Sequence, residues 1–451
     1  MLQKVIETIE ARRDASVAAL KEFLAIPSIS AKPEHNPDVA RAAQWLADQL
    51  KFAAMDVCIM KTGGHPAVMA KNKFIAGRPT VLFYGHYDVQ PAEPLEQWVS
   101  PPFEPVVRDG AIFARGAADD KGQVWAHVEA IMAWQAHGGL PVNLIMLIEG
   151  EEETASPHLG EFLRRHREAL SADIIVVSDT SQYARGMPAI TYSLRGLVYM
   201  EVKITGPAYD LHSGLFGGAV PNPANVLCQL MAGLHLPDGK VNLPNFYDDV
   251  LPLSDRERQM WRELPSDDAA LASELGLTAL SGEAGFSTVE RQWARPTCDI
   301  NGIFGGYSGP GPKTVLPCKA GAKLSFRLVP GQDPKTVDRQ FREHVAKVCP
   351  PGVTCEIITH HGAPAVLVDV DTPGVRAAAR AVEAGFGTKP VFMREGGSIP
   401  VVGLIKQHLG VDTLLLGWGQ NDDNLHGPNE KFSLADFHRG IKSAAHLLAE
   451  L

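Results

Sequence analysis

The chain has 451 residues, 45% of them hydrophobic, and a formal net charge of −10; that is more length than one hydrophobic core ordinarily holds and enough apolar material for two. The acidic balance, with no long lysine or arginine run, excludes a broad nucleic-acid footprint and an anionic membrane as partners. No apolar run approaches the roughly 20 residues that a helix needs to cross a bilayer, and the six cysteines, scattered without a Cys-x-x-Cys pair, read as the reduced thiols of a cytoplasmic protein.

Residues 1–19 carry Glu7, Glu10, Arg12, Arg13 and Asp14 on an amphipathic segment, unlike the basic stretch and apolar core of a signal peptide. Helical periodicity covers residues 5–24 and 39–50, after which the run Val81-Leu82-Phe83-Tyr84 leads into Gly85-His86-Tyr87-Asp88. A helix over residues 122–136 precedes Leu144-Ile145-Met146-Leu147-Ile148, which leads into Glu149-Gly150-Glu151-Glu152-Glu153. Ile174-Ile175-Val176-Val177 then leads into Ser178-Asp179. This alternation predicts an α/β fold with a mostly parallel sheet flanked by helices.

From Tyr199 the pattern changes. Met200-Glu201-Val202-Lys203-Ile204 and Lys323-Leu324-Ser325-Phe326-Arg327-Leu328 alternate as strands with one solvated face do. Between them lie a helix over residues 223–234 and a long Pro- and Gly-rich stretch. Helix and strand alternate again after residue 365, over 374–384 and 413–417, and Leu414-Leu415-Leu416 is followed by a polar loop ending at His426. The expected organisation is a catalytic domain of residues 1–190 and 365–451 with a smaller α+β domain, residues 191–364, inserted into it.

Most of the acids and histidines named above follow a buried strand, and in open α/β sheets ligands gather at the carboxyl ends of strands. Imidazoles and carboxylates meeting there are what divalent metals require. Singly, each has an ordinary explanation. A histidine after a strand is usually hydrogen-bonded or at the surface, and Asp119-Asp120 opening a helix suits an N-cap and the helix dipole. Three consecutive glutamates after a buried strand are harder to dismiss, because like charges there are costly unless solvated, separated or neutralised by cations. Asp88, two residues beyond His86, can accept the free imidazole N–H and fix the ring. Together these features point to a two-metal hydrolase. Residues 305–314 look superficially like a phosphate loop, but Pro312 separates Gly311 from Lys313 and breaks the Gly-Lys-Thr core. Cys228, Cys318 and His360-His361 fit no ligand position and fall to packing or surface roles.

Five motifs carry a family resemblance: Gly85-His86-Tyr87-Asp88-Val89-Gln90-Pro91, Arg115-Gly116-Ala117-Ala118-Asp119-Asp120-Lys121-Gly122, Glu149-Gly150-Glu151-Glu152-Glu153, Asp210-Leu211-His212-Ser213-Gly214 and Arg394-Glu395-Gly396-Gly397-Ser398-Ile399-Pro400. In order and spacing, from Gly85 to Lys431, they resemble the M20 metallopeptidases, and most nearly the branch of carnosine-type and other cytosolic dipeptidases. The resemblance implies one metal on His86 and Asp179, a second on Glu153 and His426, and Asp119 bridging both; the ligand types favour zinc, and the carboxylates suit manganese too. It also implies a cis Asp119–Asp120 peptide, Asp88 orienting His86, and Glu152 as the general base acting on a metal-bridging water. A shifted register, in which Glu151 and Glu152 take these roles, is the alternative; the family's Glu-Gly-x-Glu-Glu spacing favours Glu152 and Glu153.

The resemblance further implies that His212 is an oxyanion donor supplied across the subunits of a homodimer, through an inserted dimerisation or lid domain. Arg327 would grip the substrate's free carboxylate, with Thr314 and Ser398 touching substrate. The implied activity is hydrolysis of dipeptides or very short peptides. An N-acyl-amino-acid amidohydrolase or desuccinylase of the same family, and a metal-binding dimeric scaffold without catalysis, are the alternatives.

Overall fold

The structure is a computed structural model that describes residues 1–397 and 399–451, grouped in two compact units. The first comprises Met1–Tyr192, Val368–Met393 and Val401–Leu451, and the second Ser193–Leu367 and Arg394–Pro400. Ser398, expected to touch substrate, lies outside the described residues.

In the first unit the apolar runs form the strands Thr80–His86, Asn143–Glu149, Ile174–Val177 and Thr413–Leu416. Each is too short for a helix and almost wholly buried, as strands covered on both faces are. These four are mutually parallel, in the spatial order Asn143–Glu149, Thr80–His86, Ile174–Val177, Thr413–Leu416. The sheet is mixed, because antiparallel strands flank this parallel centre: Ala67–Lys71 and Asp56–Met60 on one side, Ala189–Leu194 on the other. The parallelism brings the carboxyl ends of four strands, and the loops bearing His86, Glu152, Asp179 and His426, to one edge.

Helix Lys121–Gln135 is buried along nearly its whole length and packs on strand Thr80–His86 and on helix Leu434–Glu450. Gly85 allows that approach: a Cβ there would lie 2.6 Å from Val124 Cγ2 and 2.9 Å from Asp120 Oδ2. The helix expected over residues 5–24 is two, Leu2–Ala11 and Arg13–Leu24, with Arg12 non-helical between them. At this break Arg12 Nε donates to buried Glu129 at 3.3 Å.

The second unit is built on a four-stranded antiparallel sheet, in the order Thr297–Gly305, Lys319–Leu328, Gly196–Thr205, Thr354–Ala363. Val198, Met200, Val202 and Ile204 alternate with outward residues and face a core shared with Leu324, Phe326 and Leu328 and with helices Pro223–Ala232 and Pro334–Val348. The Pro- and Gly-rich stretch also holds the short helices Asp255–Arg262, Asp268–Glu274 and Thr288–Ala294. Two of them start in capping boxes, Ser254 with Glu257 and Ser287 with Glu290, a Ser-x-x-Glu signature readable in the sequence. Residues 394–400 group with this unit, whereas helix–strand alternation assigned them to the first; Arg195 holds them, its N–H on the Glu395 carbonyl at 3.3 Å and its Nε on the Gly396 carbonyl at 2.9 Å.

Candidate metal centre

His86, at the end of its strand, is fully buried. Its Nδ1 lies 3.1 Å from the Asp88 carbonyl and its Nε2 lies 3.1 Å from Asp119 Oδ1. The other carboxylate oxygen of Asp119 is 2.9 Å from His426 Nε2, which is in turn 3.3 Å from Glu153 Oε2. Asp119 therefore presents one oxygen to each histidine. Candidate ligand atoms of His86, Asp119 and Asp179 lie within 4.8 Å of one another, and so do those of Asp119, Glu153 and His426. The two triads share Asp119.

Local structure explains how each side chain is held. The Asp119–Asp120 peptide is cis. Asp120 occupies the N-cap position of helix Lys121–Gln135, yet its side chain makes no cap bond; it accepts instead from the His86 backbone N–H at 3.3 Å. Asp88 acts at two places. Its carbonyl faces His86 Nδ1, fixing the ring with Nε2 toward Asp119. Its carboxylate accepts from Ser30 Oγ at 2.6 Å and from the backbone N–H groups of Glu152 and Glu153 at 3.2 and 3.1 Å, holding the acidic turn against the histidine strand. Glu151 is turned elsewhere: its carboxylate is 2.9 Å from His158 Nδ1 and crowds Gly64. Glu153 Oε2 accepts from Gln90 Nε2 at 2.8 Å. His426 has a left-handed backbone, φ 61°, and a ring 56% exposed; its carbonyl accepts from Arg115 Nη2 at 3.0 Å.

The electrostatics are those of too many carboxylates in too little water. Burial, aided by Asp119, pushes Asp179 and Glu152 up and Glu153 to about 8. Burial acts the same way on Asp119, but hydrogen bonds from His426 and His86 outweigh it and hold that carboxyl below its ordinary range. His426 is raised to about 9, chiefly by Asp119. A cluster in which acids retain protons and imidazoles gain them has an excess of negative sites that divalent cations would balance. The donor set, two imidazoles and three carboxylates in two triads sharing one aspartate, fits a pair of such ions, and its mixture of nitrogen and oxygen suits zinc or manganese.

The remaining candidates lie in the second unit. His212 pairs with Val315 in a two-residue ladder, and the Ser213 N–H donates to the Thr314 carbonyl at 3.0 Å, so His212 and Thr314 are neighbours. His212 Nδ1 accepts from the Gly214 N–H at 3.0 Å; the neutral ring then carries its proton on Nε2. Arg327 is half-buried on the outward face of the four-stranded sheet, opposite Leu197 and Thr297. Ser30, Gln90, Arg115 and Glu430 were not singled out by sequence. Gln90 and Arg115 sit inside the resembling motifs, and that placement was the available signal; nothing local marks Ser30 or Glu430.

The chain matches the profile of peptidase family M20/M25/M40 over residues 82–450. It is 34% identical to a Cys-Gly metallodipeptidase of Schizosaccharomyces pombe, over 100% of this chain and 98% of that one. It is 30% identical to the human Beta-Ala-His dipeptidase, over 100% of this chain and 93% of that one. Among solved structures, an M20 family metallo-carboxypeptidase of Sulfolobus solfataricus superposes with a TM-score of 0.87 at 33% identity, covering 96% of this chain and 98% of that one.

Proposed function

The chain belongs to peptidase family M20/M25/M40, and from that membership we propose that it is a dinuclear metal-dependent dipeptidase, acting on dipeptides or very short peptides with a free carboxyl end. The observation that carries the reading is Asp119, whose two oxygens face His86 and His426 at 3.1 and 2.9 Å and which belongs to both candidate triads. His86 and Asp179 would hold one ion, Glu153 and His426 the other, and Asp119 both; Zn2+ or Mn2+ suits the donors. When bound, such ions supply Lewis acidity that polarises the scissile carbonyl and makes a water in the pocket easier to deprotonate.

The chain's own residues do the rest. Glu152 belongs to neither triad, its backbone is pinned by Asp88, and burial raises its proton affinity. It would take the proton from the attacking water and pass it to the departing amine. His212, with Nε2–H directed by the Gly214 contact, would donate to the developing oxyanion. We read the second unit as a dimerisation and lid domain, with His212 supplied by the partner subunit of a homodimer. Arg327 offers a planar fork for the substrate carboxylate, and Thr314 and Ser398 would touch substrate nearby. Six free cysteines suit a reducing cytoplasm.

A second reading, removal of one residue from the carboxyl end of longer peptides, is favoured by the likeness to the metallo-carboxypeptidase. The test is amine release from a dipeptide, its N-acetylated counterpart and a longer peptide, by protein stripped of metal and reloaded with zinc or manganese. Metal-dependent cleavage of the free dipeptide is the expected outcome. Preference for the acetylated compound would make the protein an amidohydrolase, preference for the longer peptide a carboxypeptidase, and no cleavage of any of the three would leave a metal-binding scaffold.

A further inference from the structure

Glu430 and Arg115 are both buried, 0% and 1% exposed, and neither belongs to a candidate triad. The Glu430 carboxylate takes four donors: Arg115 Nη1 at 2.8 Å and the Gly116 N–H at 2.9 Å on one oxygen, the Ala118 and Asp119 N–H groups at 3.0 and 3.2 Å on the other. It wraps the backbone of the loop that ends in Asp119. The second nitrogen of Arg115 donates to the carbonyls of His426 at 3.0 Å and of Pro91 at 3.2 Å. Pro91 follows Gln90, whose amide holds Glu153. One ion pair thus reaches the backbone of Asp119, the backbone of His426 and, through Gln90, the side chain of Glu153. Those are the three members of one triad. His86 is held by Asp88 and Asp120, neither of which bonds to Arg115 or Glu430, although Asp88 also holds the Glu153 backbone.

The pair continues a ladder, since strand Lys431–Ser433 pairs with Ala111–Phe113 and the Ala114 N–H donates to the Glu430 carbonyl at 3.1 Å. The ladder thus fixes the register of the segments that lead into the Asp119 and His426 loops. Arg115 Nε is buried without a hydrogen-bond partner, and a buried ion pair adds little stability compared with apolar packing of the same volume. Its geometry accounts for it better than its stability does. His426 needs such a restraint, with its left-handed φ of 61° and its ring 56% exposed.

We propose that Arg115 and Glu430 are positioning residues that set the spacing of Asp119, Glu153 and His426, and so tune the affinity of that triad for its metal ion; the His86, Asp119 and Asp179 triad has only Asp119 in common with it and is affected less. The inference rests on the two-metal reading. Two variants test it. In Glu430→Gln, either orientation of the amide points its NH2 at backbone N–H donors. In Arg115→Lys the positive charge stays, but a single nitrogen on a shorter side chain cannot stand both where Nη1 meets the Glu430 carboxylate and where Nη2 meets the two carbonyls.

Metal-stripped wild type and both variants are titrated with zinc and with manganese against a chromophoric chelator, and the metal-free proteins are melted. We expect two ions per wild-type chain. In the variants one binding step should weaken by about 10–100-fold, the usual consequence of removing a group that orients ligands, while the other step weakens less. The metal-free melting temperature should fall as well, because altering one member of a buried pair leaves the other poorly satisfied, and it is the inequality of the two steps that separates positioning from a general loss of stability. Unchanged affinity at both steps overturns the proposal, and so does an equal loss at both. Should Glu430→Gln not fold, Arg115→Lys decides alone. A wild type that binds a single ion overturns the two-metal reading instead, and the positioning role then stands or falls on whether that one ion weakens.

Discussion

The two units carry their candidate residues in opposite ways. At the strand ends of the first, the side chains of His86, Asp119, Glu153 and His426 contact one another within 3.3 Å, and Asp88, Gln90, Arg115 and Glu430 brace them from behind. In the second, His212 and Thr314 are exposed, and Arg327 is half-buried on an outward sheet face. His212 is steered by a bond to Gly214, two residues along its own chain. A cluster that completes itself is built to hold something small and fixed, such as an ion. The exposed donors of the second unit match the role proposed for them, that of meeting an arriving substrate or a second subunit.

The first unit's side of this contrast breaks most sharply at Glu152. Glu152→Gln removes the proposed base but neither triad, so turnover should fall by about 10²–10⁴-fold, the range for a general acid–base, while metal content by elemental analysis stays at the wild-type value. Unaltered turnover sinks the assignment. Next comes His212→Ala, for which loss of an oxyanion donor predicts a fall of about 10²–10³-fold with metal content intact. If His212 acts across subunits, mixing this variant with Glu152→Gln should restore part of the activity, because some hybrid sites receive both wild-type residues. No rescue after demonstrated subunit exchange would place His212 in its own subunit's site or remove it from the chemistry.

Arg327→Lys probes the outward sheet face. Lysine keeps the charge and loses the fork, and a charge-assisted hydrogen bond contributes about 1.5–3 kcal/mol. KM for a free dipeptide should rise about 10–100-fold with kcat less affected, and the same variant should treat a C-terminally amidated dipeptide like the wild type. An equal effect on both substrates would exclude carboxylate recognition by Arg327.

Much of this contrast was legible in the chain itself. Strands betray themselves by short apolar runs, and the parallel centre follows from their separation by helices, so His86, Glu152, Asp179 and the His426 loop could be placed at one sheet edge. The antiparallel flanks were less visible, because Ala67–Lys71 and Asp56–Met60 carry few β-branched residues and alternate poorly in burial. Asp120 shows a different limit. A helix-opening aspartate predicts a cap, but only the fold reveals that Gly85 admits its carboxylate to the His86 N–H. Arg115 and Glu430 were hidden for the same reason: they are 315 residues apart, and no local pattern announces that one carboxylate will collect four donors across that gap. Residues that touch the chemistry have recognisable types and spacings, whereas residues that hold them are identified by contacts alone.

The smallest expected effects lie at Asp88, where the first unit's bracing can be loosened in steps. Its carboxylate accepts from Ser30 Oγ at 2.6 Å and from the Glu152 and Glu153 N–H groups at 3.2 and 3.1 Å, and one of its oxygens lies 3.4 Å from His86 Nδ1. Asp88→Asn replaces one accepting oxygen with an NH2. Placed toward Ser30, whose hydroxyl can turn to accept, that group still loses the Glu153 N–H, so the acidic turn keeps one anchor of two; metal affinity should fall about 10-fold. Ser30→Ala leaves both backbone donors in place and removes a single side-chain bond, which predicts a loss of about 1 kcal/mol in stability and turnover close to wild type. Chelator titration and denaturant unfolding of the two variants therefore separate the functions of one carboxylate. If Ser30→Ala weakened metal binding as much as Asp88→Asn does, the hydroxyl rather than the backbone contacts would be what holds the turn, and the account of Asp88 as its anchor would fail.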